Sequence, residues 1–536
     1  MNLQKMLLQS AAAICAAGIF CSGLASVQAA AEELYTVGYY GDVSGDMIVD
    51  RTDVDLLEMH LRGEWPLNEE TAVPYADLNK DGSVDARDLT LLKRLLLTGA
   101  EPEAHQEYIL RKELIEPPIG QFEPSLPSVG DVNILLIAVE FPDCTFEKPF
   151  TADEVYQIAF GEGDSFDPSY PLESITAYYS RASYERLHLT GDVYQYTAKQ
   201  PITYYQQDNG DGVLSVTEQN RTYMLLADEA LTALDSQIDF DRFNANGDKN
   251  IDTIIFALPA TTADSVYGVT SSEYWWPCSG NYIGNKTFDG LSPYNICVGG
   301  WALSDHAGFN STWIHELGHA MGIPDYYFYK NVPEGESSEG LRGEAGCEMM
   351  DEAMGDMCAF DKLMFGWYAP DEVQIYSGGT QTFQLTNSQQ MPSCVIIPRG
   401  NLDSFFEEYF IIEAVGNTGN NTCGFFGDYR YPRFQSGGIR ILHCEATDYF
   451  DFMTWFYGFK WEVFSPVYDE SNQKQRLLRL VNDGNGFFRK GAAINSSTSG
   501  FAWYDSSGNL TVDPGITISI DTLDMDTATI TISQKS

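Results

Sequence analysis

The stretch Trp313-Ile-His-Glu-Leu-Gly-His-Ala-Met-Gly-Ile-Pro-Asp325 constrains this chain more than any other. His315 and His319 are four residues apart, so on a helix they stand one above the other and can offer two imidazole nitrogens to one metal ion. Glu316 projects beside them, where a carboxylate can take a proton from a water that the metal polarises. Gly322 can adopt positive φ and end the helix, and Pro324 keeps it from continuing. The return turn then delivers Asp325 as a third ligand and leaves one position open, as a catalytic zinc requires. The spacing therefore predicts zinc on His315, His319 and Asp325, with Glu316 as general base. The bland alternative is an amphipathic helix with Ile314, Leu317 and Met321 on a core and the histidines satisfied structurally.

The extended motif resembles the immune-inhibitor-A-type metallopeptidases, relatives of the metzincins. Tyr178-Tyr-Ser-Arg-Ala-Ser-Tyr-Glu-Arg-Leu-His-Leu-Thr-Gly191 is similar to that family's segment ahead of the catalytic core, and Asp361-Lys-Leu-Met-Phe-Gly-Trp367 to the helix after its active site. Tyr409-Phe-Ile-Ile-Glu413 and Gly438-Ile-Arg-Ile-Leu-His443 are similar to its later strands. The resemblance implies an α+β, zincin-like catalytic domain. It places Glu348-Met-Met-Asp351 at a methionine turn under the metal, with Met349 or Met350 as the turn residue. Glu348 is the alternative third ligand; Asp325 is favoured because a short turn delivers it without ordering a long loop.

Near the start, Asp42-Val-Ser-Gly-Asp-Met-Ile-Val-Asp-Arg-Thr-Asp53 and Asp77-Leu-Asn-Lys-Asp-Gly-Ser-Val-Asp-Ala-Arg-Asp88 form an internal repeat. Oxygen ligands recur at loop positions one, three, five, nine and twelve, the alternation that surrounds a hard cation. In loop one these are Asp42, Ser44, Asp46, Asp50 and Asp53, with the Ile48 carbonyl at position seven; in loop two they are Asp77, Asn79, Asp81, Asp85 and Asp88, with the Ser83 carbonyl. Each loop runs into an apolar-periodic helix, through Leu56, Leu57 and Leu61 or Leu89, Leu92, Leu95 and Leu96. The EF-hand-like pair resembles a type I dockerin, which implies calcium as structural cofactor and a cohesin scaffold domain as partner. Met47 replaces the turn glycine of loop one, which weakens that loop. A plain calcium-binding pair is the alternative.

The chain opens with Lys5, an apolar run from Met6 to Phe20, and Val27-Gln-Ala-Ala-Ala31, the layout of a secretory signal peptide over residues 1–31. No other stretch is apolar for long enough to span a bilayer, so a secreted, extracellular protein is expected. A formal charge of −46 argues against nucleic-acid and anionic-membrane partners. Eight cysteines remain beyond the signal; Cys278 with Cys297, and Cys347 with Cys358, are plausible local disulfides, and buried thiols are the alternative.

The calcium module occupies residues 32–100, and the Pro/Glu-rich stretch 101–129 reads as a linker or an inhibitory pro-segment. Within the catalytic region, 130–375, the apolar runs Val132–Phe141 and Ile251–Leu258 suit buried strands, with a helix over Met224–Leu234. Asn244, Asn246, Asp248, Asn250 and Asp252 read as a structural calcium loop, or as a polar turn with Asx bonding. Residues 376–536 show short alternating runs between Gly, Asn and Asp, an antiparallel β region. The sequence thus points to a secreted zinc endopeptidase acting on proteins or peptides and docked through calcium loops. An inactive or latent cohesin-docked binding component is the rival.

Overall fold

The computed structural model describes residues 34–44, 49–63, 67, 73–80, 83–100, 102, 104–108, 124–206, 216–259, 275–327, 348–369, 372–400, 402, 405–425, 437–451, 456–462, 475–481 and 487–535. The signal-like segment, Asp46, Ile48, Asp81, Cys347 and most of the Pro/Glu-rich stretch lie outside them. Among the described residues no helix is long and apolar enough to cross a membrane.

In the calcium module, helices α1 (Arg51–Leu61) and α2 (Ala86–Thr98) start the same way. Asp50 and Asp85 are their N-caps, and Asp53 and Asp88 close a capping box three residues on, satisfying amides that the first helical turn leaves orphaned. Val54, Leu57, Ala76 and Leu92 fill a small core between them. Strands β1 (Leu34–Tyr39) and β2 (Ala104–Tyr108) pair antiparallel, so the opening of the supposed linker is a strand. The linker's far end is also ordered: Leu126 is buried, and its amide donates to the Ala320 carbonyl at 3.1 Å.

The region that carries the histidine motif is built on a five-stranded sheet in the order β4 (Leu187–Thr197), β3 (Gly130–Glu140), β5 (Asn250–Pro259), β7 (Ser292–Trp301), β6 (Cys278–Asn281). Only β6, at the edge, runs antiparallel to its neighbour. The continuous apolar runs of β3 and β5 follow from burial on both faces. Ile134, Leu136, Ile255 and Ala257 face a core shared with α3 (Ala152–Phe160), α4 (Ile175–Ala182) and the histidine helix α6 (His306–Ala320). The alternate residues Leu135, Ile137, Ile254 and Phe256 face α5 (Val216–Leu234).

The Cys278–Cys297 disulfide expectation fails, and Cys358 is a free thiol whose expected partner, Cys347, lies outside the described residues. Cys278 pairs across the β6–β7 ladder with Val298, and Ser279 with Cys297. A one-residue offset turns successive side chains to opposite faces of a strand, so the two thiols point into different cores. Cys278, Cys297, Cys358 and Cys394 are free thiols.

Beyond α7 (Met349–Glu352) and α8 (Ala359–Met364), two further sheets follow. One is mixed, in the order β15 (Leu478–Leu480), β12 (Gly438–Glu445), β11 (Glu408–Val415), β10 (Cys394–Pro398), β8 (Val373–Ile375), with β8 parallel to β10. The other is antiparallel, in the order β16 (Ala493–Ile494), β19 (Ile516–Leu523), β20 (Thr527–Gln534), β9 (Thr380–Thr386). They share a core through Val395, Phe410, Ile439, Ile518 and Ile530. The opposite face of the mixed sheet, through Ile396, Tyr409, Ile411 and Leu442, belongs to the core under the histidine helix.

Candidate metal centre and calcium loops

Helix α6 is N-capped by Asp305, whose carboxylate accepts the Gly308 amide at 3.1 Å, and its buried flank carries Phe309, Trp313, Ile314 and Leu317. It ends at Met321, after which Gly322 takes φ +101° and the chain reverses. The reversal brings Asp325 against both imidazoles: its Oδ1 lies 2.9 Å from His315 Nε2 and 3.3 Å from His319 Nε2. The two rings are 4.8 Å apart, nearly perpendicular, so their Nε2 atoms converge from different directions.

Each remaining ring nitrogen is held by backbone. His315 Nδ1 lies 3.0 Å from the Met349 carbonyl, and His319 Nδ1 lies 2.7 Å from that of Ile323. An Nδ1–H donated to a carbonyl leaves Nε2 as the lone-pair nitrogen, the arrangement that prepares an imidazole to bind metal. Glu316 is buried, and its Oε2 has no hydrogen-bond partner.

The charges are coupled through this small volume. Burial disfavours a charged His319, but the Asp325 carboxylate outweighs it and holds the pKa at about 9. Burial would raise Asp325, and the two imidazoles instead drive it well below the usual carboxylate range. Glu316, with no partner of its own, is pushed up by burial. Two imidazoles, a carboxylate and an adjacent orphaned carboxylate oxygen fit a divalent transition metal such as zinc.

Glu348 does not join this group among the described residues. Its side chain caps α7, accepting the Met350 amide at 3.0 Å, and belongs to a separate cluster with Cys358 and Asp361. The two methionines have different tasks. Met349 supplies the carbonyl that holds His315, while the Met350 sulfur lies under Gly318, where a Cβ would meet it at 2.5 Å. Of the neighbouring tyrosines, Tyr326 turns away and donates to Asp361 at 2.6 Å. Tyr327 instead stacks on His315 with centroids 6.2 Å apart, a contact the bare sequence gives no means of choosing.

Among the described residues the two calcium loops share one clamp at position twelve. In loop one the Asp53 carboxylate accepts the Ser44 and Asp50 amides, both at 2.8 Å. In loop two Asp88 accepts Asn79 at 3.1 Å and Asp85 at 2.9 Å. Position twelve thus clamps both ends of each loop, and both clamps are buried. The Asn244–Asp252 loop is bonded internally: Asp248 accepts the Asn250 amide at 2.6 Å, and Asp252 accepts Ala245 at 2.6 Å and the Asn246 amide group at 3.0 Å. Bonds of this kind occur both in an Asx-bonded turn and in a calcium loop.

Residues 40–97 match the family described as the dockerin type I domain, which covers both clamped loops and their helices. No curated protein matches the chain.

Proposed function

We propose that this chain is a zinc-dependent endopeptidase, exported and docked through its dockerin module to a cohesin domain. The observation that carries the peptidase reading is the convergence of His315 Nε2, His319 Nε2 and Asp325 Oδ1 beside a buried, unpartnered Glu316 oxygen. His315, His319 and Asp325 would hold the ion. Zinc, when bound there, supplies the Lewis acidity that polarises the scissile carbonyl and the attacking water.

The rest is work for this chain's own groups. The Met349 and Ile323 carbonyls fix the two rings. Glu316 Oε2, engaged by no other donor, accepts the proton of the water and passes it to the leaving amine; its burial raises its basicity for that task. Among the described residues β6 pairs with β7 alone, so its other edge, Ser279 to Asn281, offers backbone groups to an extended peptide.

Calcium on the two clamped loops and a cohesin partner are supported by the dockerin match over residues 40–97. Export is supported by the signal-like residues 1–31. The test is casein hydrolysis by the full chain, with and without a zinc chelator, alongside metal analysis. Chelator-sensitive hydrolysis restored by zinc is expected. A folded, zinc-loaded chain without hydrolysis would instead make it a docked binding component.

A further inference from the structure

A second set of ligand atoms lies in the core, one residue before the carbonyl that holds His315. A carboxylate oxygen of Glu348, the Cys358 thiol and a carboxylate oxygen of Asp361 lie within 4.8 Å of one another, and all three side chains are fully buried. Glu348 Oε2 accepts the Met350 amide, but Oε1 is buried with no hydrogen-bond partner. Asp361 accepts the Tyr326 hydroxyl at 2.6 Å and the Cys358 amide at 3.0 Å. Arg440, whose charge reaches Cys358, is engaged with Glu413 at 2.8 Å.

Burial with mutual repulsion pushes all three acids up, and without a cation Glu348 and Asp361 share a hydrogen bond side chain to side chain. One divalent cation answers all three groups at once. We propose that Glu348, Cys358 and Asp361 hold a structural zinc ion distinct from the His315, His319 and Asp325 centre. The proposal does not rest on the peptidase reading.

The donor set selects the ion, because a thiolate beside carboxylates suits a borderline-soft metal and not calcium or magnesium. Zinc–sulfur and zinc–oxygen bonds of about 2.3 and 2.1 Å keep two ligands within about 4.4 Å of each other. The three atoms lie within 4.8 Å of one another, so side-chain rotations bring them onto a single ion. The Tyr326 hydroxyl at Asp361 Oδ1 brings a further oxygen to the cluster. Placed there, the ion ties the start of α8 to Tyr326, which follows Asp325, and to Glu348, which precedes Met349. Both segments that build the histidine centre would be stapled from below.

Cobalt reports the thiolate directly. The full chain produced in cobalt-supplemented medium should show a near-ultraviolet sulfur-to-cobalt charge-transfer band, which a centre of two imidazoles and a carboxylate cannot give. The band should survive His315→Ala and vanish in Cys358→Ser, with metal content falling by one ion per chain in Cys358→Ser and in Asp361→Asn. A folded wild-type chain with no such band, as two carboxyls sharing a proton would leave it, overturns the proposal. So does a band that persists in Cys358→Ser. If the variants fail to fold, the wild-type spectrum alone decides, and its absence leaves the peptidase reading untouched.

Discussion

Glu316 illustrates how a residue's burial sets its task. Its carboxylate touches no donor, so Glu316→Gln should preserve the fold and the zinc content while lowering peptide hydrolysis by about 10²-fold or more. Near-normal turnover in that variant would assign the base elsewhere. Asp325→Ala should deplete the histidine centre of zinc, since it removes the group that both imidazoles face; retention of metal there, measured against His315→Ala, would discard Asp325 as a ligand. A third residue reports pH. His443 is buried, with Nε2 2.8 Å from Glu408 Oε1, and burial holds its pKa below the ordinary value. Burial would raise Glu408, but the hydrogen bonds from His443 and the Tyr504 amide keep it lowered. Both folded-state values are depressed, so the folded chain binds fewer protons than the unfolded one. The stability they give is complete above about pH 6.5 and is lost as pH falls, through His443 first and Glu408 at lower pH. Thermal melts between about pH 8 and pH 5 should drop more steeply for the wild type than for His443→Gln; parallel curves would refute this. At this scale the sequence was informative where the candidate ligands are neighbours along the chain. His315, Glu316, His319 and Asp325 were legible because one helix and one turn connect them. The roles of the Met349 carbonyl, of Tyr327 and of Cys358 were not, because each depends on contacts made across the fold.

Among elements, the histidine helix and the turn beneath it form a matched pair. Glycine inside a helix costs about 1 kcal/mol relative to alanine, and Gly318 sits there because the Met350 sulfur occupies the space a Cβ would need. Gly318→Ala should therefore lose the gain of about 1 kcal/mol that its better helix propensity promises, because the flexible Met350 thioether must move aside. Combining it with Met350→Ala should recover part of that loss, a coupling of at least about 0.5 kcal/mol in a double-mutant cycle. Additive effects in denaturant melts would show that the two do not press on each other. Strands buried on both faces were legible as unbroken apolar runs: the run Val132–Phe141 lies within one residue at its end of β3, Gly130–Glu140. Strand register was not. Nothing in the spacing of Cys278 and Cys297 tells that Ser279, and not Cys278, stands opposite Cys297, because register is fixed by distant packing.

Across the whole molecule, one part carries its own core. Among the described residues, Val54, Leu57, Ala76 and Leu92 of the dockerin cluster with their own module's residues. Asp53→Ala with Asp88→Ala, which removes both clamps, should abolish calcium-dependent capture by a cohesin and leave peptide hydrolysis unchanged; undiminished capture would contradict the docking reading. The histidine-motif region and the β-rich end are different, because a single core runs from Leu126 through Tyr409 and Leu442 to Phe487. The composition change near residue 375 marks a change of secondary structure, and hydrophobic burial crosses it. This continuity governs timing during synthesis. The histidine helix rests on the methionine turn, that turn is joined to α8, and the Ala359 amide of α8 donates to Glu413 on β11 at 3.3 Å. A ribosome delivers the histidines some hundred residues before it delivers β11 and β12, and the contacts that close over them span long stretches of chain. The histidine centre of the nascent chain would thus stay incomplete until β11 and β12 had emerged.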